Sequence, residues 1–246
     1  MRAIILAAGM GSRLGAITER LPKPLVQVNN KPIIQYQLEA LYQAGINHCT
    51  IVLGYLGHQL REHLGNEFGG VNIQFVENPI YKSTNNIYSL WLALRESVED
   101  DIILLEGDLI FDPGLISDLV DSGLTDVAVV DKFSQSMNGT AILAESGYTS
   151  FMVLKDQQAS DFDYENALKT VNIYVLSNNL VSTKFFPAVS EHILEGNIET
   201  FYESVLSELI QNRQIEMAIH PTWPRKWIEI DTTSDLAAAQ QMFYRC

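Results

Sequence analysis

The chain has few of the residues that mark membrane, disulfide-bonded or metallohydrolase proteins. Its 246 residues contain no apolar run of the roughly 18 residues that cross a bilayer, and the apolar residues after Arg2 are too few for the core of a signal peptide. The two cysteines, Cys49 and Cys246, indicate no disulfide framework and fit reduced thiols in a bacterial-type cytoplasm. The five histidines show no metal-ligand spacing and no nucleophile–histidine–acid arrangement. We therefore expect a cytoplasmic protein with no membrane segment.

Positive charge is also scarce. The chain has 16 Lys and Arg against 30 Asp and Glu, which gives a formal net charge of −14. A nucleic-acid backbone repels such a chain, so we expect no nucleic-acid partner. The acidic balance is typical of a solvated surface. It also allows a minor alternative, an acidic pocket that favours a cationic substrate group.

A glycine-rich turn, Ala8-Gly9-Met10-Gly11, ends the first apolar run, and the cations Arg13 and Lys23 follow it. Glycines let backbone N–H groups approach phosphate oxygens closely, and the two cations supply the charge that a triphosphate needs. The turn is not a dinucleotide fingerprint, because Leu14 stands where a third glycine is required. No Gly-Lys-Ser/Thr Walker sequence occurs either. An ordinary turn is the alternative, but the two cations favour a nucleotide-phosphate loop.

Strand and helix patterns alternate along the first half of the chain. Short apolar runs predict buried strands, and apolar residues at helical spacing predict helices. In chain order the predicted elements are strand 2–7, helix 33–44, strand 49–53, helix 57–64, strand 71–76, helix 85–98 and strand 102–105. This alternation predicts an α/β fold with a mostly parallel, doubly wound, Rossmann-like sheet and helices on both faces.

The pattern changes after about residue 131. The predicted elements are strands 141–144, 151–155 and 169–176, helices 181–194 and 199–212, strands 216–219 and 227–230, and helix 234–242. We interpret the first three strands, which polar turns separate, as a small antiparallel substrate-binding addition. No repeat, low-complexity segment or linker interrupts the chain. We therefore predict a single domain, 1–246, with a nucleotide-binding half, 1–130, and an acceptor-binding half, 131–246.

Two pairs of carboxylates follow predicted strands. Glu106 and Asp108 come after strand 102–105, and Glu229 and Asp231 lie at the end of strand 227–230. Ligands of open parallel sheets sit at the carboxyl ends of the strands, and residues two apart share a strand face. Carboxylates from two strand ends above a triphosphate loop suit Mg²⁺, which prefers one or two carboxylates together with substrate phosphates. Asp231 is equally placed to cap the helix that follows it.

The string Leu-Ala-Ala-Gly-Met-Gly-Ser-Arg-Leu, followed by Pro-Lys-Pro-Leu, resembles the signature of nucleotidyltransferases that activate phosphorylated small molecules. Sugar-1-phosphate nucleotidyltransferases and phosphocholine cytidylyltransferases share it. The resemblance extends over nearly the whole chain and implies that the loop carries the triphosphate. The nucleotide-binding residues expected on this basis are Leu6, Ala8, Gly9, Gly11, Arg13 and Lys23.

The two acidic segments also resemble family motifs. Glu-Gly-Asp looks like the acidic motif after the central strand, and Trp-Ile-Glu-Ile-Asp looks like the late motif of the choline and phosphonate branch. The resemblance implies that Asp108 and Asp231 bind the metal. We expect Glu106 and Glu229 to support them without contacting the ion.

The string Thr-Asn-Asn-Ile-Tyr-Ser-Leu at 84–90 closely resembles phosphocholine cytidylyltransferases of the bacterial lipopolysaccharide-decorating type. Sugar-phosphate enzymes usually have Gly-Thr-Ala after a Gln here. The resemblance places Asn85 and Asn86 beside the nucleotide base or ribose, where an amide can meet a cytosine. A cap at the start of the predicted helix is the alternative interpretation of Asn85.

The strings Met-Asn-Gly-Thr at 137–140 and Lys-Thr-Val-Asn-Ile-Tyr at 169–174 resemble cytidylyltransferases of phosphonate and phosphocholine metabolism, with Asn138 in place of an Asp. We expect Lys169 to hold the phosphate or phosphonate of the acceptor, since a point charge is useful there. An exposed lysine at a strand edge is the alternative. Tyr174 and Glu203 are further candidates for the acceptor site. Glu203 could pair with an amine of the acceptor, and the alternative is that it is a solvent-exposed residue of a helix.

The sequence therefore predicts a Mg²⁺-dependent cytidylyltransferase that joins CTP and a small anionic acceptor and releases pyrophosphate. The alternatives are a sugar-1-phosphate nucleotidyltransferase that uses UTP or dTTP and a catalytically silent nucleotide-sensing module. The intact set of Arg13, Lys23, Asp108 and Asp231 disfavours a silent module. Phosphocholine and 2-aminoethylphosphonate both offer an anionic head and a cationic tail, so the choice of acceptor stays open at this point. No oligomeric state is predicted.

Overall fold

The computed structural model describes residues 1–96, 99–133 and 137–244. The predicted helix end at residue 98 and Cys246 lie outside these ranges. The described strands are β1 (Arg2–Ala7), β2 (Gln27–Val28), β3 (Lys31–Pro32), β4 (His48–Leu53), β5 (Glu67–Phe68), β6 (Val71–Glu77), β7 (Ile102–Glu106), β8 (Leu109–Phe111), β9 (Val127–Lys132), β10 (Ala141–Glu145), β11 (Tyr148–Val153), β12 (Leu168–Leu176), β13 (Ala218–Pro221) and β14 (Trp227–Glu229). The described helices are α1 (Ile33–Gln43), α2 (Gly57–Leu64), α3 (Asn86–Leu94), α4 (Gly114–Asp121), α5 (Asn178–Leu180), α6 (Phe186–Leu194), α7 (Tyr202–Gln211) and α8 (Thr233–Met242).

Ten of the described strands form one mixed sheet in the order β10-β11-β13-β9-β12-β7-β1-β4-β6-β5. Its centre, β7-β1-β4-β6, is parallel throughout, as the alternation of strands and helices predicts. Strand β12 runs antiparallel to both β7 and β9, so the second half of the chain extends the same sheet. The predicted α/β fold, with a parallel part, helices on both faces and an antiparallel addition, is confirmed.

The core lies on both faces of the sheet. In β1, Ile5 packs in a cluster with Leu38 of α1, whereas its neighbour Ile4 packs on the opposite face with Leu90 of α3 and Leu206 of α7. Successive strand side chains point to opposite faces, so a strand that is apolar throughout needs helices on both sides. This arrangement holds the carboxyl end of β1 rigidly at one edge of the molecule.

The segment between residues 109 and 132 departs most from the sequence pattern. The prediction left it without elements, but it forms β8, α4 and β9, and β9 lies inside the main sheet between β12 and β13. Strand β14 pairs with β8 in a separate two-stranded sheet rather than joining the main one. Very short apolar runs carry too little periodicity to reveal such pairings. No helix in the described ranges is long and apolar enough to span a bilayer.

Candidate active site

The glycine-rich turn leaves β1 between two glycines of the neighbouring strands. The amide N–H of Gly107 donates to the carbonyl of Leu6 at 2.9 Å, and the N–H of Tyr55 donates to the carbonyl of Ala8 at 3.0 Å. A Cβ atom on Gly54 would lie 2.5 Å from the Ala8 carbonyl oxygen, so only glycine allows this approach. The path of the turn is therefore fixed by backbone contacts from β4 and β7.

The two cations predicted for the triphosphate lie beside this turn. Gly11 adopts a left-handed conformation with φ of 61°, and a Cβ atom there would lie 3.1 Å from the Cβ of Lys23. The lysine stem therefore packs directly against the glycine. Arg13 belongs to the 3-10 turn that follows, and its side chain is 63% exposed. One cation is thus enclosed at the base of the turn, while the other is largely exposed beside it.

Three carboxylates meet opposite the glycine-rich turn and are called here the acidic trio: Asp108, Glu229 and Asp231. Asp108 lies in the tight turn between β7 and β8, and β14 runs antiparallel to β8 with Glu229 opposite Leu109. The N–H of Ile230 donates to the carbonyl of Asp108 at 3.0 Å. This register places one oxygen from each member of the trio within 4.8 Å of the others.

The cations contact the acidic trio directly. Lys23 Nζ lies 2.6 Å from Asp108 Oδ2 and 2.8 Å from Asp231 Oδ1, and Arg13 donates to the same Asp231 oxygen at 2.8 Å. Burial by itself would lower the pKa of the Lys23 ammonium. The negative charges of the two aspartates have a larger combined effect and raise that pKa. Asp108 Oδ1 is buried and accepts no hydrogen bond from the described residues. An oxygen in this state is available to a cation.

Glu229 is partly buried within the trio. Burial and then the neighbouring charge of Asp108 raise the pKa of its carboxyl from 4.5 to about 7, although Lys169 opposes this shift. A carboxyl with such a pKa loses its proton close to neutral pH. Glu229 therefore adds its negative charge to the trio only as the pH approaches neutrality.

The free energy of unfolding of the metal-free protein is expected to fall as the pH rises from 4.5 to about 7. The raised pKa of Glu229 makes the folded protein bind more protons than the unfolded chain between these values, so this stabilisation is lost as the carboxyl ionises. Because the side chain is 27% exposed, we expect an effect of about 1–2 kcal/mol, less than the full shift implies. Urea unfolding in EDTA across this pH range measures it.

The Glu229→Gln variant isolates this contribution. It is expected to reduce the pH slope, because glutamine cannot ionise. A matched control is Glu77→Gln, which changes an exposed carboxylate that pairs with Arg61 at 2.9 Å on the surface. The same slope in Glu229→Gln and wild type would show that Glu229 does not carry the effect.

Asn86 connects three elements at the wall of the cleft. Its Nδ2 donates to Glu106 at 3.0 Å and to Glu203 at 3.4 Å, and its Oδ1 accepts from the backbone N–H of Tyr202 at 3.0 Å. Burial raises the pKa of both glutamates. Both N–H groups of Asn86 are thus bound to protein carboxyls. The amide thus ties α3 to β7 and α7, and Asn86 also lines the cleft, so its contact with the nucleotide base stays a prediction. Asn85 caps α3, since its side chain accepts from the Asn86 N–H.

The position of Lys169 differs from the predicted one. Its side chain is only 2% exposed, so the alternative of an exposed lysine at a strand edge is wrong. The ammonium donates to the Thr170 carbonyl at 2.6 Å and lies 3.9 Å from Glu229. A Cβ atom on Gly139 would lie 2.7 Å from Nζ, so the glycine closes over the ammonium. Burial lowers the pKa of Lys169, and Glu229 opposes that shift. In the structure Lys169 faces the acidic trio rather than an open acceptor pocket.

Tyr174 also lies elsewhere than predicted. The side chain is fully buried, its hydroxyl donates to Thr170 Oγ1 at 3.2 Å, and its ring meets Tyr202 edge-on with centroids 5.8 Å apart. It is therefore a core residue and not an acceptor-binding one. The bulge in β12 near Asn172 turns a different side chain outward: Asn172 has φ of 58° and lines the cleft. Asn172 belongs to the Lys-Thr-Val-Asn-Ile-Tyr string, but the strand pattern did not distinguish it as the residue that faces the cleft.

A cleft of about 720 Å³ runs between the glycine-rich turn, the acidic trio and α7. Its walls include most of the residues predicted from the sequence. They are Leu6, Ala8, Gly9, Gly11, Arg13, Lys23, Asn85, Asn86, Asp108, Glu203 and Asp231. Residues that were not predicted to bind a ligand also contribute, among them Glu229, Asn172 and Phe201. The cleft thus combines a backbone turn suited to phosphate with a cluster of acidic oxygens suited to a cation.

A comparison of the sequence with known protein families agrees with this arrangement of the cleft. The MobA-like NTP transferase domain matches residues 3–207, which is well over half of the chain. The chain belongs to this family. As an NTP transferase domain, it places the glycine-rich turn, Lys23 and the acidic trio around one cleft.

Several curated proteins are similar to this NTP transferase domain. The CMP-5'-(3-aminopropyl)phosphonate synthase of Streptomyces rubellomurinus is 32% identical over 244 residues, which is 99% of this chain and 39% of that protein. The choline-phosphate cytidylyltransferase of Streptococcus pneumoniae is 47% identical over 103 residues, 42% of this chain and 43% of that protein. The matches thus span about two fifths of these two relatives. The 2-aminoethylphosphonate cytidylyltransferase of Lancefieldella rimae is 27% identical over 249 residues, 96% of this chain and 90% of that protein.

Solved structures share the fold. The CTP:phosphocholine cytidylyltransferase of Streptococcus pneumoniae superposes with a TM-score of 0.79 over 99% of both chains, at 23% identity. A putative glucose-1-phosphate thymidylyltransferase from Bacillus anthracis superposes with a TM-score of 0.81 over 98% of this chain and 94% of that one, at 18% identity. At these identities the likeness establishes the architecture alone. Cytidylyl and thymidylyl enzymes therefore share this backbone.

Proposed function

We propose that the chain is a cytidylyltransferase that transfers CMP from CTP to a small phosphate or phosphonate acceptor carrying a cationic group. The observation that carries this proposal is the placement of the acidic trio opposite the glycine-rich turn, with Lys23 between them. Relatives named as CMP-phosphonate synthase, choline-phosphate cytidylyltransferase and 2-aminoethylphosphonate cytidylyltransferase support the choice of nucleotide and acceptor class.

The reaction is a direct displacement at phosphorus. An oxygen of the acceptor attacks the α-phosphorus of CTP, a new oxygen–phosphorus bond forms, and the bond to the bridging oxygen of the β-phosphate breaks. The acceptor oxygen is already anionic, so no general base is needed. The protein has to align two anions and to neutralise the charge that builds up on the leaving pyrophosphate. Arg13 and Lys23 are the side chains placed to do this beside the glycine-rich turn.

We further propose that the acidic trio holds Mg²⁺. The fit rests on the three carboxylate oxygens within 4.8 Å of one another and on Asp108 Oδ1, which is buried without a hydrogen bond from the described residues. Carboxylate oxygens are hard ligands of the kind that Mg²⁺ prefers. When bound, the ion supplies positive charge to the triphosphate. Asp108 and Asp231 were expected as ligands, and we propose Glu229 as a third because its carboxylate lies beside theirs.

For the acceptor, we propose that Glu203 meets its cationic group. Glu203 lines the cleft and shares the Asn86 amide with Glu106, so two carboxyl groups share a single amide donor. Both carboxyls are buried, and a buried carboxylate is stabilised by a positively charged partner.

The experiment that tests the proposed function is pyrophosphate release from CTP, UTP, dTTP, ATP and GTP with a panel of acceptors. The acceptors are phosphocholine, 2-aminoethylphosphonate, 3-aminopropylphosphonate and glucose 1-phosphate. We expect kcat/KM with CTP to exceed that with UTP by at least about 10-fold for an amine-bearing acceptor, within the range that nucleotide pockets achieve.

Two other results would redirect the assignment. Equal or faster turnover with UTP or dTTP and glucose 1-phosphate would identify a sugar-phosphate enzyme. Nucleotide binding without turnover for any acceptor of the panel would favour a sensing module.

A further inference from the structure

Lys23 occupies the space that a metal ion would need. Its ammonium lies 2.6 Å from Asp108 Oδ2 and 2.8 Å from Asp231 Oδ1, and its side chain is only 12% exposed. Arg13 contacts the same Asp231 oxygen at 2.8 Å. Two carboxylates of the acidic trio are therefore hydrogen-bonded to side-chain cations of the chain itself, and the third, Glu229, lies 3.9 Å from the ammonium of Lys169.

An ammonium and a divalent cation compete for Asp108 Oδ2 and Asp231 Oδ1. Both would sit within about 3 Å of the same carboxylates, where their repulsion is strong in a partly buried site. The ammonium also offsets the mutual repulsion of the aspartates, so the trio stays assembled in the free protein. Lys23 thus acts as an internal counter-ion for the oxygens that are proposed to hold Mg²⁺.

The lysine is also within side-chain reach of the triphosphate loop. Its stem packs along Gly11, where a Cβ atom would lie 3.1 to 3.3 Å from three of its carbons. The backbone around it is fixed, since Pro22 and Pro24 flank it and the segment forms a 3-10 turn. The long stem of lysine is flexible, so the ammonium can move while the backbone stays in place.

We propose that Lys23 is a positioning residue that keeps the acidic trio assembled but closed to divalent cations until a nucleotide draws its ammonium onto the triphosphate. This inference rests on the proposed nucleotide site. Transfer of the ammonium to the phosphates frees oxygens of Asp108 and Asp231 for the metal. Nucleotide and metal then bind with positive coupling, and each raises the affinity for the other by the same factor.

The test is the affinity of Mn²⁺ for the nucleotide-free protein, measured by electron paramagnetic resonance after removal of metals with EDTA. The Lys23→Met variant is expected to bind Mn²⁺ at least about 10-fold more tightly than wild type, within the range of ordinary coupling between sites. Lys23→Arg keeps the positive charge and is expected to bind as weakly as wild type. The matched control is Lys31→Met, because Lys31 pairs with Glu39 and lies outside the cleft residues.

Lys23→Gln provides a second uncharged variant should Lys23→Met fail to fold, which thermal unfolding shows directly. Equal or weaker Mn²⁺ binding in the uncharged variant, or no Mn²⁺ binding in any variant, would overturn the inference. These measurements need no nucleotide. A protein that behaves as expected toward Mn²⁺ but has no affinity for CTP would therefore contradict the proposed function, whereas CTP turnover with unchanged Mn²⁺ binding would contradict only the role of Lys23.

Discussion

Asp108→Asn is expected to lower kcat for pyrophosphate release from CTP by at least about 100-fold, the size of effect seen when a key electrostatic group is lost. Asparagine keeps the shape of the side chain but removes the charge that faces Lys23 at 2.6 Å and the buried oxygen available to a cation. The turn between β7 and β8 is held by backbone contacts, among them the Ile230 N–H on the Asp108 carbonyl, so the fold should persist. Steady-state kinetics and thermal unfolding measured together check both points.

The same assay includes a control variant and a test of metal dependence. Glu77→Gln changes a surface carboxylate and is expected to retain wild-type kcat. EDTA is expected to abolish activity in wild type, and added Mg²⁺ is expected to restore it. Full activity in folded Asp108→Asn, or turnover that EDTA does not affect, would refute the proposed metal site.

Gly54→Ala is expected to weaken both folding and nucleotide binding. A Cβ atom here would lie 2.5 Å from the Ala8 carbonyl oxygen and 2.9 Å from the Ala8 Cα, so the backbone of the glycine-rich turn must shift. Overpacking against backbone typically costs about 1–3 kcal/mol of the free energy of unfolding. Because Ala8 lines the cleft, we expect the affinity for CTP to fall by at least about 10-fold as the turn moves. Urea unfolding and calorimetric titration with CTP measure the two effects.

Gly9→Ala separates these two causes. A Cβ atom on Gly9 would meet none of the described residues within 4 Å, so the stability of this variant is expected to match wild type. Its affinity for CTP should still fall, because the added methyl group faces the cleft where backbone must approach phosphate. If Gly54→Ala keeps wild-type stability and CTP affinity, then the close contact between β4 and the turn does not position the loop.

The candidate site was predictable where it depends on local sequence. The glycine-rich turn follows an apolar strand, and the nearby cations Arg13 and Lys23 line the same cleft. Asp108 and Asp231 follow short strands, and their carboxylates meet as the sequence suggested. Glycine content, charged residues and the ends of apolar runs can be read directly from the sequence, because each is a property of one short segment.

Predictions that depended on which strand neighbours which were less successful. Lys169 and Tyr174 were assigned to a small antiparallel addition with an accessible face. Instead β12 lies between β7 and β9 inside the main sheet, where core clusters pack on both faces of the strand, and both side chains are buried. A run of alternating residues looks the same in a central strand and in an edge strand, and only the pairing distinguishes them.

The position of Glu229 also depends on a strand pairing that the sequence does not reveal. The sequence placed it two residues before Asp231 and assigned it a supporting role, whereas the register of β14 on β8 places its carboxylate beside Asp108. Register is a relation between distant segments, and a shift of one residue would turn Glu229 away from the trio.

The sequence by itself determined the α/β alternation, the glycine-rich turn and the identities of the principal charged groups, because these follow from periodicity, glycine content and spacing within single segments. The tertiary structure decided that Glu229 completes the acidic trio, that Lys169 and Asn86 face protein groups, and that Lys23 bridges Asp108 and Asp231. Lys23 and Asp231 are 208 residues apart in the chain, and their contact arises only when the β8–β14 pair docks beside the carboxyl end of β1.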